Sequence, residues 1–456
     1  MKINFLKVAI IAFGISTVAI SCSDDFVETK FEQDVEQGPL TSLTEVESFT
    51  RGMYTSMRSS TYYGRDYGLY AEVRSDEMYS NLYAGYYNTV YNYTMTSSDA
   101  YARDTYRQIY TAVAKANILI NTDVNGIQGT DADRKAVRYH IGQARALRAL
   151  YFFDLLKLYG QKYTGGNLGI VTPLVYDPKA MQGRGTVAEN EAQIEADFNA
   201  GLALMEANIG GSVSTDKVDL TINAVKTLMT RFYLYKQDYA KVRTLVDEIV
   251  ASAQYQVMPE ASYVGSWSAS KQNNSIFELA VGVAGANGTD SWGYMFNYDG
   301  YGNTVVSPDL YDQYDAADVR SQIIEFTDGE YYLYKYPNLE GSDNIKLIRY
   351  EEVLLNGVEA ELNGGDPAKA LTYYNLIVEQ RGLPAASSVD MATLKLERSK
   401  ELVGEGFRLW DLLRWGDTVP RPAGVSTNPQ LTAFPIPRVE TDIAGTPIVS
   451  NPGYDN

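Results

Sequence analysis

The chain has 456 residues, 45% of them hydrophobic and 21% charged, which is enough to bury a large core and ordinary for a globular protein. Thirty-nine basic residues against 57 acidic ones give a formal net charge of −18, so nucleic acid is disfavoured as a partner on electrostatic grounds. A single cysteine and a single histidine, Cys22 and His140, exclude an internal disulfide and argue against zinc sites built from Cys and His.

Residues 1–22, MKINFLKVAIIAFGISTVAISC, set two lysines around the start of an apolar run and place Ala19, Ile20 and Ser21 directly ahead of Cys22. The run is too short for a permanent span and has the layout of a secretory signal. Removal of 1–21 places Cys22 at a new N-terminus, where several acyl chains together anchor a protein stably. Residues 22–44 then read as a polar, lipidated tether. Ser23, Asp24 and Asp25 resemble the surface-export signal of lipoproteins in some diderm bacteria, so attachment to the outer membrane, facing the exterior, is expected.

A first helix is predicted over 45–59. The stretch 61–93 carries ten tyrosines among Gly, Asn and Ser without sustained periodicity, and reads as loop with short helical turns. Helices follow over 100–122 and 133–159. In the second, Val137, Ile141, Ala144, Leu147, Tyr151, Leu155 and Leu158 fall on one apolar face. Further helical patterns cover 188–207, 221–236 and 239–252, the last two forming a pair about Gln237 and Asp238. A second pair, 345–363 and 366–381, is punctuated by Gly364 and Gly365, with Asp366 suited to an N-cap and Pro367 to the first helical position. Between the pairs, 255–336 is rich in Gly, Asn, Ser and aromatics, with one strand-like run over 276–281.

No Pro-rich, Ser-rich or charge-block linker divides the sequence, so 45–456 is expected to form one domain. Its expected class is mainly α: a scaffold of tetratricopeptide-like helix pairs, unevenly spaced, with a loop-rich half near 61–99 and 255–336 and minor β. Long loops inside a compact fold are more often functional than idle.

Little catalytic chemistry is legible. His140 sits inside an amphipathic helix and reads as structural. No G-x-S-x-G, Walker A or dinucleotide fingerprint occurs. Glu397, Glu401 and Glu405 recur at helical spacing beside Arg398 and Arg408, and ion pairs on one helix face explain them. Asp312, Asp315 and Asp318 lack the glycine and terminal glutamate of an EF-hand and read as solvated. Catalytic residues, metal and cofactor are therefore all unassigned, although 57 acids leave a glycosidase pair open by number alone. The unusual figure is 37 tyrosines. Roughly half suit helix packing; the excess suggests recognition, because tyrosine offers a flat apolar face and a hydroxyl while freezing only two torsions.

The string 397–416, ERSKELVGEGFRLWDLLRWG, closely resembles the C-terminal signature of the SusD/RagB family of nutrient-binding outer-membrane lipoproteins. The run 434–437 (FPIP) with Glu440, the terminal 451–454 (NPGY), and 142–153 (GQARALRALYFF) are similar to other parts of that family's pattern, as are 106–117, 275–278 and 345–381. The resemblance implies a non-catalytic lid on a SusC-like TonB-dependent transporter, capturing oligosaccharides or, in some branches, peptides. It also implies that Arg398, Glu405, Arg408, Trp410, Asp411 and Trp415 are scaffold. Family ligand residues lie in variable loops, and two loops occupy the expected places. One presents Tyr79, Asn81, Tyr83, Tyr86 and Tyr87; the other presents Trp292, Tyr294, Tyr298 and Tyr301, with Trp267 a further free aromatic and Asn88 and Asn297 supplying amides. Sugar rings fit such a surface independently of any family, because each apolar face buried on a ring contributes on the order of 1–2 kcal/mol. A peptide-binding lid and, from another class, a secreted glycoside hydrolase are the alternatives.

Overall fold

The computed structural model describes residues 38–210 and 214–454; the signal segment, Cys22 and most of the tether lie outside the described residues. Residues Leu40–Asn456 make one compact unit, mainly α with two small sheets. The helices used below are α1 (Leu43–Met57), α2 (Asp66–Glu72), α3 (Ala100–Ile120), α4 (Asp131–Tyr159), α5 (Val187–Ala207), α6 (Ile222–Lys236), α7 (Tyr239–Ala251), α8 (Tyr350–Leu362), α9 (Pro367–Val378), α10 (Met391–Leu402) and α11 (Arg408–Trp415). Helix α1 packs on α3, α3 on α4, α4 on α5, α6 on α7, α7 on α8 and α8 on α9.

Boundaries of α1, α3, α4 and α5 fall within two residues of the sequence expectation because their ends are written in the side chains. Ser42, Thr130 and Thr186 each accept from the backbone N–H three residues on, and Glu45, Asp133 and Glu189 accept the cap residue's own N–H in return. Between α8 and α9, Asp366 accepts from the Ala368 N–H at 2.9 Å, with Pro367 at the first helical position as expected. Asp366→Ala should therefore lower the stability of the fold by about 1 kcal/mol in urea unfolding, whereas Asp366→Asn should stay near wild type.

Helix α4 departs from a one-faced amphipathic helix. From Ala144 onward it is enclosed on nearly every side, and its charged residues Arg145, Arg148, Asp154 and Lys157 are all ion-paired, although the Tyr151 hydroxyl is buried without a hydrogen-bond partner among the described residues. Arg148 donates to Asp197 and Asn117, and Asp154 accepts the hydroxyls of Tyr62, Tyr63 and Tyr67. His140 is structural as expected: it is half-buried, its Nδ1 lies 3.1 Å from the Thr50 hydroxyl, and desolvation lowers its pKa. Close to half of the 37 tyrosines are buried.

Six strands are present among the described residues: β1 (Met78–Ser80), β2 (Ser275–Leu279), β3 (Thr304–Val306), β4 (Ile324–Thr327), β5 (Glu330–Leu333) and β6 (Ile345–Arg349). They form a four-stranded sheet in the order β1-β3-β5-β4 and a β2-β6 pair, all antiparallel. Residues 345–349, expected to open a helix, are instead β6. Strand β2 supplies their backbone partners, and the helix starts at Tyr350.

The acidic series at 397–405 also differs from expectation. Helix α10 stops at Leu402 and Gly404 takes φ +77°, so Glu405 leaves the helix face that holds Glu397 and Glu401. Nor do Arg398 and Arg408 pair with these glutamates. Glu401 accepts from Arg381 at 2.8 Å and from Arg349 at 3.0 Å, Glu397 accepts from Arg320 at 2.5 Å, and Glu405 binds Arg349 at 2.9 Å and Lys335 at 2.7 Å. Arg398 instead holds Asp411, and Arg408 holds Asp76. Asp318, expected to be solvated, is buried and belongs to the same cluster through Arg320. A buried charge needs such partners, since an unpaired one is expensive to desolvate.

Candidate functional site

The strand register decides which tyrosines meet. Tyr79 pairs with Val305, Val306 with Tyr331, and Tyr332 with Glu325, so Tyr79, Val305, Tyr332 and Glu325 share one face of the sheet. The loops leaving β1 and entering β3 are clasped together by amides. Asn81 N–H donates to Asn303 O at 3.0 Å, Asn81 Nδ2 to Gly302 O at 2.8 Å, and Asn303 Nδ2 to Tyr86 O at 3.1 Å. Two segments more than 200 residues apart in sequence thereby present one aromatic surface.

On that surface Tyr301 packs against Tyr86, with ring centroids 5.0 Å apart, and against Tyr294 at 4.8 Å; Tyr298 stands edge-on to Tyr332 at 5.2 Å. Tyr83 is 76% exposed, Tyr298 42% and Tyr301 37%, and Tyr334 is half-buried beside them. The Tyr79 hydroxyl donates to Glu330 and the Tyr298 hydroxyl to Asp328. Partial burial and the neighbouring Tyr301 push the Tyr86 phenol up to about 12, and the Asp328 hydrogen bond raises that of Tyr298, so both stay protonated donors at ordinary pH.

Tyr79, Tyr83, Tyr86, Tyr294, Tyr298 and Tyr301 are thus brought together. Asn81 is nearby, but both ends of its amide hold the loops: Oδ1 accepts from the Tyr83 N–H and Nδ2 is committed to Gly302. Asn88 is exposed.

Four expected residues are withdrawn from the surface. Tyr87 is buried in a left-handed turn (φ +56°), stacked on Tyr101 and donating to Asp66. Trp292 is buried because the backbone opposite it is Gly68: a Cβ there would stand 1.9 Å from the indole, whose Nε1 donates to Tyr63 O at 2.8 Å. Trp267 is buried against the ionic cluster, with Lys335, Arg349 and Lys346 about its ring. Asn297 is buried too, donating to Gly293 O and Tyr336 O.

Sequence reasoning missed the buried Tyr332 that backs Tyr298 and, with it, Tyr334, Asp328 and Glu330, all from the β4–β5 hairpin. Its signal was present: Asp328 and Gly329 both take positive φ between the paired Thr327 and Glu330, as a two-residue type I′ turn requires. The opposite face of this hairpin carries Phe326, 61% exposed, on Tyr331, which stacks on Tyr311 at 4.1 Å.

A separate crevice lies among α4, α6, α8, α11 and the Trp292 turn. Phe153, Lys157, Arg231, Glu352, Phe407 and Trp410 are among its lining residues. Its charged groups bind one another, Arg231 to Glu352 at 2.6 Å and Lys157 to Asp154 at 3.2 Å, as expected of a structural junction. The signature residues behave alike: Asp411 takes Arg398 and Arg414, and Trp415 donates to Glu359. Among the described residues no group of His, Cys, Asp and Glu is arranged to hold a metal, and no helix is long and apolar enough to cross a membrane.

Two family models match the chain, one described as starch-binding and associating with the outer membrane over residues 25–234, the other as the SusD family over residues 321–446. A SusD-like protein of Formosa agariphila is 22% identical over 397 residues, covering 72% of this chain and 75% of that one. A solved SusD superfamily protein from Bacteroides vulgatus is 29% identical, covers 91% of this chain and 100% of its own, and superposes with a TM-score of 0.81. A solved laminarin-binding SusD-like protein is 22% identical, with 91% and 100% coverage and a TM-score of 0.74, a likeness of fold. From its mainly helical fold, its signature residues and both family models, the chain belongs to the SusD/RagB family.

Proposed function

We propose that this protein is a surface-exposed outer-membrane lipoprotein that binds oligosaccharides on the tyrosine platform and passes them to a TonB-dependent, SusC-like transporter. The observation that carries the reading is the union of the 79–86 and 294–301 loops into one open aromatic face. Aromatic rings with protonated hydroxyls match a sugar's apolar face and hydroxyl edge. Members of the family bind glycans and are not enzymes. The laminarin-binding relative and the starch-binding family description support a glycan over a peptide. The lipid anchor at Cys22 and the transporter partner rest on the sequence and on family membership, and tethering beside a transporter makes modest affinity sufficient by raising effective concentration.

Calorimetric titration of the chain begun after Cys22 against laminarin, malto- and cello-oligosaccharides and mixed peptides tests this reading. Tyr301→Ala and Tyr83→Ala should each weaken saccharide binding about tenfold, the worth of one stacked face, while Tyr311→Ala, removing a ring that packs against the opposite face of the hairpin, should leave it unchanged. Peptide-only binding would move the protein to the other branch of the family, and release of shortened sugar would make it a hydrolase.

A further inference from the structure

The platform's polar rim carries one sign of charge. Asp328 and Glu330 accept the tyrosine hydroxyls described above, Asp299 stands beside Tyr298 and Tyr334, and Glu325 lies on the same sheet face as Tyr332. Among the described residues none of these four carboxylates pairs with a lysine or arginine, in contrast to the buried acids of the fold, most of which have such partners. Among the described residues the one cation against a platform ring, Arg65 at 5.5 Å from the centre of Tyr86, has its guanidinium engaged by Asp66 and Asp290.

We infer that the rim formed by Asp299, Glu325, Asp328 and Glu330 selects ligands by charge, so that amine-bearing saccharides bind in preference to neutral ones and uronate- or sulfate-bearing saccharides are rejected. This rests on the glycan reading above and adds the substrate class. Two effects act in the same direction. Carboxylates within a Debye length attract an ammonium and repel an anion, and the faces of the tyrosines are themselves attractive to a cation. The chain's overall charge of −18 also repels polyanions, so the local claim needs a test that separates the rim from the whole surface.

The test is titration of the chain with glucosamine hexamer, cellohexaose and hexagalacturonate, at a pH where the amines are protonated and at low and high salt. The expected order is glucosamine, then glucose, then galacturonate, with about tenfold between the first and last at low salt and less at high salt. Asp299→Asn with Asp328→Asn should draw the three affinities together. Glu47→Gln with Glu379→Gln, an equal change of net charge on the helical scaffold, should leave the order as it is. Asparagine tolerates the positive φ of position 328, so the double variant should fold. Equal affinities for all three sugars, or an order that survives the rim substitutions, would overturn the inference while leaving glycan binding intact. Failure of every saccharide to bind would overturn the glycan reading and this inference together.

Discussion

Gly406→Ala is expected to destabilise the fold by about 2–4 kcal/mol, read as a lowered thermal transition. A Cβ at this position would stand 2.7 Å from the Cα of Gly68, and the residue holds φ +83°. The obstacle is backbone, which cannot swing aside, and the Gly406 N–H is committed to the buried Glu72 carboxylate at 2.5 Å. The left-handed conformation alone costs about 1 kcal/mol and overpacking adds about 1–3 kcal/mol. Gly416 is the internal control. It has φ +74° but open space where a Cβ would go, so Gly416→Ala should cost about 1 kcal/mol and no more. If both variants melt alike, the contact between Gly68 and Gly406 is not what holds α2 against the signature segment.

Removal of the Glu401 carboxylate is expected to be at least as severe, about 3–5 kcal/mol, because it strands Arg381, Arg349 and Arg320 in the interior with too little counter-charge. Denaturant midpoints of Glu401→Ala and Glu401→Gln measure it, and Gln should fall between alanine and wild type. The same group sets the acid limit. Burial works against its ionisation, yet the guanidiniums of Arg381, Arg349 and Arg320 outweigh burial and hold its carboxyl well below the usual carboxylate range. Glu405 is held low by Arg349 and Lys335, and Asp411 by Arg398 and Arg414, in both cases against burial. Each is lower in the fold than in the unfolded chain, so its stabilisation is complete above about pH 4.5 and is lost as the pH falls from there. Glu401→Gln should flatten that acid limb; an unchanged limb would assign acid unfolding to other groups.

The helices were readable because their determinants are local. The Ser42–Glu45 box, the Thr186–Glu189 box and the Asp366–Pro367 start each lie within four residues, and a cap needs no distant partner. The loops were readable as candidates from composition but not residue by residue. Nothing local to Trp292 announces that Gly68 leaves a slot for it, and Tyr87 differs from Tyr86 in sequence surroundings far less than in fate, one turned inward to Asp66 and the other out to Tyr301. For 345–349, a short mixed run (Ile-Lys-Leu-Ile-Arg) that served equally as helix or strand was decided by the edge of β2, some 70 residues earlier in the chain. The partners of the 397–405 acids came from Arg320, Lys335, Arg349 and Arg381, beyond the reach of helical spacing.

The burial of the indoles has a practical bearing on how this protein should be watched. Trp267, Trp292 and Trp410 lie in the interior, and Trp415 is tied to Glu359 at the far end of α11, so none of the four stands on the tyrosine platform. Emission from these rings is a gauge of folding and is blind to an occupant stacked on Tyr83 or Tyr301. A flat fluorescence titration would therefore say nothing about affinity, and Trp292→Ala would report the collapse of the slot at Gly68 instead of the loss of a ligand contact.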